Sequence, residues 1–412
     1  MKMTKLIWQR GCLGFWLLFL PLFLGAQAPQ VLPTDLYVDL LVVEPGNTLY
    51  TSYGHCALRL QCPSKHMDVS FTFGLDDTFR DVVQFFTGNG RGTYSRLVTE
   101  TYLHDYQRQG RGVKAYAVNL TLDEKRNLWQ LLDVQTSSGS PWRYNYMHTN
   151  CASMCVYAIN QALLNEQVDY GRAASLGRGT YRDYIRAISA GHPWTNFVWQ
   201  SLIGAEGEEK GNLEDKLSPE RLAYAYSCAT FVGDNGSRRP VLVGRGRTVI
   251  AQTAVYPAGV FTPVVCFGLL FLFSLAVTVM ERRSGRGKVA RTFDLLLFAL
   301  QTVMGCAIFF MTFFSRIETA HLNLYVIPFN PLPLLLWLVF RRRRGYARVY
   351  AFYTVVLLLF LLAAPFMPQA DAPHLLLLGT LALRTFAASS FLRTSRELKE
   401  AVVMSKDKKP KR

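Results

Sequence analysis

From Ala258 onward the chain carries five apolar runs: Ala258–Met280, Leu295–Phe314, Leu324–Phe340, Val349–Met367 and Leu375–Leu392. Most approach the roughly 20 residues that a helix needs to cross a bilayer. A run of that length has one comfortable home, because in lipid every backbone polar group must be satisfied within its own segment. Leu324–Phe340 is the exception. It is short and contains Asn330, Pro331 and Pro333, so a bent or partly re-entrant path is expected there. The connections orient the set. Arg282, Arg283, Arg286, Lys288 and Arg291 lie between the first two runs, Arg341 to Arg344 and Arg348 between the third and fourth, and Lys408, Lys409, Lys411 and Arg412 close the tail. The remaining two connections hold only Arg316, Glu318, His321, Asp371 and His374. The positive-inside rule then places the tail in the cytoplasm and everything before Ala258 on the far side of the membrane.

The start of the chain agrees with export. Lys2, Lys5 and Arg10 precede a short apolar core, Leu13–Leu24, and Ala26-Gln27-Ala28 fits a small-residue cleavage site. The expected organisation is a signal segment over 1–28, an exported domain over 29–257, five membrane helices over 258–392 and a basic cytoplasmic tail over 393–412. The formal charge of +16 does not mark a nucleic-acid protein. Residues 29–257 hold 22 basic and 22 acidic side chains, so the excess sits beside the apolar runs, where membrane topology needs it.

Within 29–257 the texture is that of an α+β domain. Leu36–Val43, Cys56–Gln61, Val69–Phe73 and Val113–Leu120 have strand patterns. Thr121 and Glu124 form a capping-box signature for a helix ending near Val134. Further helices are expected from Cys151, with Asn150 or Thr149 as cap, after Thr180, and at Ser218-Pro219. Gly88-Asn89-Gly90-Arg91-Gly92 reads as a flexible loop, since it lacks a nucleotide-binding spacing.

The chemistry is concentrated in cysteine and histidine. The exported domain has five cysteines, Cys56, Cys62, Cys151, Cys155 and Cys228. Two disulfides among the other four would leave Cys151 free, although sequence does not fix the pairing. Cys151 opens a helical run, where unpaired N–H groups and the helix dipole are expected to lower a thiol pKa and to receive an oxyanion. Cys155, one turn further on, reads as a core residue. A cysteine nucleophile needs a base. His55, beside Gly54 at the start of a strand, ranks first. His148, three residues before Cys151, ranks second, because neighbours on a turn often point apart. His66, His104 and His192 offer no such context. No zinc, phosphate-loop or dinucleotide motif is present, so neither a metal nor a cofactor is expected.

The order of histidine first, then Asn-Cys opening a helix, resembles the circularly permuted branch of the papain-like NlpC/P60 group. The chain resembles one family more closely: Lnb, the lipoprotein N-acyltransferases. The resembling pieces are Tyr53-Gly54-His55, Phe71-Thr72-Phe73-Gly74 with Phe85 and Gly88 beyond, Arg143-Tyr144-Asn145-Tyr146, Asn150-Cys151-Ala152, Thr180-Tyr181-Arg182, Leu217-Ser218-Pro219 and, in the membrane region, Glu318-Thr319-Ala320-His321-Leu322-Asn323. The resemblance implies a papain-like exported domain in the periplasm, on a multi-pass protein of the inner membrane. It implies Cys151 as nucleophile and His55 as general base. Asn150, Tyr53 and His148 are candidate supporting residues, and no third, orienting residue can be placed from sequence. It further implies a phospholipid acyl donor and a diacylated lipoprotein acceptor. Arg384 and His321 are candidate lipid-facing residues on this reading. Cys56 stands where a small or hydroxyl residue is expected, which leaves room for a disulfide beside the site. A cell-wall peptidase or amidase and a non-catalytic envelope scaffold are the rival readings.

Overall fold

The computed structural model describes residues 34–407 apart from 49–50, 76–82, 85, 146–147, 257–258, 333 and 336–345, with no side chain at 346 or beyond 390. The expected signal segment, Phe85, Tyr146, Arg341 to Arg344 and the last lysines lie outside the described residues.

Seven strands form one antiparallel sheet: β1 (Tyr37–Val43), β2 (His55–Cys62), β3 (Met67–Leu75), β4 (Arg91–Val98), β5 (Val113–Val118), β6 (Trp142–Arg143) and β10 (Leu242–Ile250), in the order β10-β5-β1-β2-β3-β4-β6. A second sheet holds β7 (Glu166–Asp169), β8 (Thr230–Gly233) and β9 (Arg238–Pro240). Helices α1 (Thr99–Arg108), α2 (Leu122–Ser138), α3 (Cys151–Ala162), α4 (Tyr181–Ile188), α5 (Pro193–Leu202) and α6 (Pro219–Cys228) complete the α+β domain.

Strand β1, in the interior of the sheet, explains its own composition. Leu40 and Val42 pack with Leu58 and Phe71 of the sheet, with Leu128 and Leu132 of α2, and with Cys155 and Ile159 of α3. Leu41 and Val43 face the other way and meet Tyr102 of α1. A strand covered on both faces reads as a continuous apolar run rather than an alternation. The capping box of α2 forms between Thr121 and Glu124, and the helix runs on past Val134 to Ser138. One expected loop is in part a strand. Arg91 and Gly92 open β4 and pair with Arg143 and Trp142. A Cβ on Gly92 would lie 2.2 Å from the Trp142 ring, so that glycine is a seat for an indole rather than a flexible link. Strands also return after the helices, which the strand-poor texture near Gly244 and Gly246 concealed.

The C-terminal part is helical: α7 (Pro263–Ser284), α8 (Lys288–Phe313), α9 (Tyr346–Ala363) and α10 (Ala372–Asp407). Among the described residues three helices are long and apolar enough to cross a membrane, Pro263–Ser284, Lys288–Phe313 and Ala347–Phe366. Five are therefore not all seen. Leu324–Phe340 starts as a 3-10 turn, Leu324–Val326, and residues 333 and 336–340 lie outside the described residues. Helix α10 extends well past Leu392, so much of the expected tail continues a helix.

The two parts are locked together on the side that the charge pattern assigns to the exported domain. Arg316 N donates to Thr87 O at 2.9 Å, and Ser315 Oγ to Phe86 O at 2.8 Å. Gly204 N donates to Thr319 O at 2.7 Å, and Ala205 N to His321 O at 3.1 Å. Arg182 holds that second contact in place. It is 1% exposed, pairs with Glu208, and donates from Nη2 to Ile203 O at 2.9 Å and Gly204 O at 3.0 Å. Leu202 of α5 is buried in the same cluster as Phe298, Tyr325 and Leu378 of the membrane part.

Candidate active site

His55 is the first residue of β2, and Gly54 places it there. Gly54 has φ +77, and a Cβ on it would lie 2.6 Å from Val43 O, so only glycine fits the approach. Cys151 is the first residue of α3. Asn150 caps that helix, its Oδ1 accepting from Ala152 N at 2.9 Å and Ser153 N at 3.1 Å. The Ser153 hydroxyl accepts from Asn150 N at 2.8 Å, which completes a capping box. Such a cap contributes about 1 kcal/mol to the helix. It also uses two of the first-turn N–H groups expected to receive an oxyanion. The N–H of Cys151 itself takes no part in the cap.

Strand end and helix start meet in a cavity of about 240 Å³ lined by Cys151, His55, Tyr53, Thr72, Tyr144, Asn150 and Arg111 among others. His55 acts directly on the Cys151 thiol. Its Nε2 is bonded to Thr72 Oγ1 at 2.6 Å, which leaves Nδ1 as the nitrogen available to sulfur. Thr72 thus orients the imidazole, the role for which sequence offered no residue. It sits in β3 opposite Ala57 of β2. Its position inside Phe71-Thr72-Phe73-Gly74 was the available signal.

The Cys151 thiol differs from expectation in its resting state. Contact with the Cys56 thiol, then burial, push its pKa well up, while His55 pulls the other way. Cys56 is fully buried and also accepts from Cys155 Sγ at 3.7 Å. The helix start alone suggested a lowered value; the crowding of three sulfurs was not visible in sequence. A thiol that holds its proton at neutral pH needs a base before it can attack. Among the described residues every cysteine is unbridged. The thiol shifted down is Cys228: burial raises it, but Arg172 Nε donates to its sulfur at 3.2 Å and the downward shift wins.

His148 points elsewhere. Its Nδ1 lies 3.5 Å from Asp215 Oδ1 and its ring packs edge-on against Tyr181. His321 is held by protein groups, with Nε2 at 2.8 Å from Ser315 O and Nδ1 at 3.7 Å from Glu206 Oε1. Arg384 is 0% exposed among helices, bonded to Asp294, Glu281 and Thr278, so lipid does not reach it. No group of three or more His, Cys, Asp or Glu among the described residues could hold a metal ion. Sequence reading missed Arg111, whose place between Gly110 and Gly112 was its only signal.

The resembling pieces converge on two places. Tyr53-Gly54-His55, Thr72-Phe73-Gly74, Tyr144, Asn150-Cys151 and Leu217-Ser218-Pro219 line the cavity. Gly88, Arg143, Arg182 and Thr319 to His321 form the junction with the membrane part, where Arg143 donates to Gly88 O and Arg316 O, each at 3.1 Å. Comparison with known proteins agrees. Residues 27–187 match the Lnb N-terminal periplasmic domain, and residues 256–396 match the Lnb transmembrane domain. No curated protein and no solved structure matches the chain. With both of its domains matched, in order and over most of its length, this chain is a member of the Lnb family, a membrane protein with a periplasmic part.

Proposed function

We propose that this chain is a lipoprotein N-acyltransferase of the inner membrane, with Cys151 as nucleophile and His55 as general base. The observation that carries the reading is the meeting of Cys151, His55 and Thr72 in one cavity, in a domain hydrogen-bonded to the membrane part through residues 315–321. Both proposed substrates are anchored in a bilayer. A catalytic domain fixed to the same surface meets them at high effective concentration. A soluble wall fragment would need no such fixture, which sets the peptidase reading second.

The proposed steps use these residues in turn. His55 takes the Cys151 proton, and the thiolate attacks an ester carbonyl of a phospholipid. Collapse of the tetrahedral intermediate forms the thioester and breaks the ester C–O bond, and the imidazolium returns the proton to the departing lysophospholipid oxygen. The α-amino group of a diacylglyceryl-cysteine lipoprotein then attacks the thioester. His55 accepts the amine proton, the amide forms, and the Cys151 thiol is restored. Thr72 keeps the ring in register through both halves. We further propose that the chain crosses the membrane five times, since α8 and α9 both end, and α10 begins, at the exported side.

The test is mass spectrometry of a lipoprotein N-terminus in cells that have no other N-acyltransferase. Wild-type protein is expected to give the N-acylated form. Cys151→Ala should give only the free amine, although the protein still inserts. N-acylation retained with Cys151→Ala sinks the assignment and moves the search to cell-wall fragments.

A further inference from the structure

The cavity holds one charged group that the acyl-transfer steps do not use. Arg111 lies in the connection between α1 and β5, is 3% exposed, and lines the cavity with Cys151 and His55. Its Nε donates to Glu44 O at 2.9 Å and its Nη1 to Gln109 Oε1 at 3.3 Å. The guanidinium carbon sits 5.1 Å from the centre of the Tyr106 ring. Nη2 is buried and has no hydrogen-bond partner among the described residues. No carboxylate among the described residues pairs with this cation, and that of Glu44 is held by Lys114 at 2.8 Å. Burial accordingly pulls the Arg111 pKa down.

A buried guanidinium without an anion has lost its hydration and gained no partner charge. An arrangement with one NH2 group left over and the other nitrogens braced is costly in the free protein. It is relieved when a ligand brings an oxyanion, and planar guanidinium N–H groups suit phosphate oxygens well. Of the two substrates proposed above, the acceptor brings an amine, which a cation disfavours. The donor brings a phosphodiester a few bonds from its ester carbonyls. We propose that Arg111 Nη2 binds the phosphodiester of the glycerophospholipid donor and so sets an ester carbonyl beside Cys151. The identity of the ligand as a donor lipid rests on the acyltransferase reading; the existence of an anion site at Arg111 does not.

Two measurements on the full-length protein in detergent separate these. The first is calorimetric binding of a short-chain phosphatidylglycerol to Cys151→Ala and to Cys151→Ala with Arg111→Gln or Arg111→Lys. Glutamine should weaken binding roughly ten- to a hundredfold, and lysine should recover part of it, as a charge-assisted contact requires. Equal affinity in all three overturns the proposal, and tight binding of inorganic phosphate instead marks a free-phosphate site and overturns the lipid assignment. The second is the rate of acyl-enzyme formation at Cys151, read by intact mass, from a phospholipid and from a phosphate-free acyl ester. Arg111→Gln should lower the ratio of the two rates by a similar factor, whereas an unchanged ratio overturns the role in donor placement. Binding that depends on Arg111 with no acyl-enzyme in the wild type would leave the anion site standing and sink the acyltransferase reading.

Discussion

Two arginines are buried in this molecule under opposite conditions. In the membrane part, Arg384 of α10 has each nitrogen answered: Nε by Asp294 at 2.7 Å, Nη1 by Thr278 at 2.6 Å and Nη2 by Glu281 at 2.8 Å. Arg286 binds the same two carboxylates at 3.0 and 2.6 Å, so two cations face two anions. The cluster ties α7, α8 and α10 together, and nothing in it is left for a ligand. In the periplasmic domain, Arg111 is almost as buried, meets no carboxylate among the described residues and keeps one NH2 group unused in the cavity of the candidate nucleophile. The same side chain is closed into structure in one place and left open to chemistry in the other. Burial alone does not distinguish the two; the count of answered N–H groups does.

The largest effect should come from breaking the closed arginine. Arg384→Met leaves Arg286 against two buried carboxylates. Removing one partner of a buried pair typically costs about 3–5 kcal/mol, because the uncompensated charge remains. Thermal unfolding in detergent should show a large drop for Arg384→Met. Adding Asp294→Asn, which leaves Arg286 and Glu281 as a neutral pair, should restore most of it. Arg111→Gln should cost far less, since it removes a charge that no described carboxylate answers. If Arg111→Gln unfolds the protein as readily as Arg384→Met, the contrast is wrong and Arg111 is structural.

A smaller effect probes the open side. Thr72 Oγ1 is hydrogen-bonded to His55 Nε2 at 2.6 Å. Thr72→Val keeps the shape of the strand but removes that hydroxyl, so the imidazole loses its anchor while the cavity keeps its walls. The rate of Cys151 acylation should fall roughly ten- to a hundredfold, the scale of misaligned general-base catalysis. The donor concentration for half-saturation should stay, and Thr72→Ser should recover the rate. A rise in that concentration with the rate unchanged would make Thr72 a substrate contact rather than a positioning residue.

The two regions also differ in how much of them could be read from sequence. Apolar runs and arginine flanks pointed to a membrane part with a domain on its far side, because bilayer thickness and charge bias act on stretches of sequence rather than on contacts. Helix caps were equally legible: Thr121 with Glu124, Asn150, Thr180 and Ser218 each start the helix expected of them. Their signal lies within four residues. Arg111 and Thr72 were silent because their roles depend on strands paired across long separations. His55 and Thr72 are 17 residues apart, and Arg111 and Glu44 are 67 apart. Arg384 was visible as an anomaly, a charge within a span, but its answer lay 90 residues away at Asp294. A polar residue out of place announces itself in sequence; its partner does not.

The smallest effect bears on why the proposed nucleophile is not already a thiolate. The Cys151 helix start favours a thiolate, yet the first cause acting on the thiol is its contact with Cys56, which stabilises the protonated form, followed by burial. Cys56 is in turn pinned by Cys155 at 3.7 Å and has no exposure. A thiol with a raised pKa keeps its proton through neutral pH, and its reactivity grows as pH climbs through the raised value. Cys56→Ala removes the first of those causes and leaves the second. The pH profile of Cys151 alkylation should therefore move to lower pH, with His55 unchanged beside it. The measurement belongs in a Cys228→Ser background, because Arg172 makes Cys228 the more reactive thiol at low pH. A profile that stays in place would mean that burial alone holds the proton on Cys151. A bound acyl chain, excluding water further, would then hold that proton still more firmly, and the proposed base His55 would have to supply the whole of the activation.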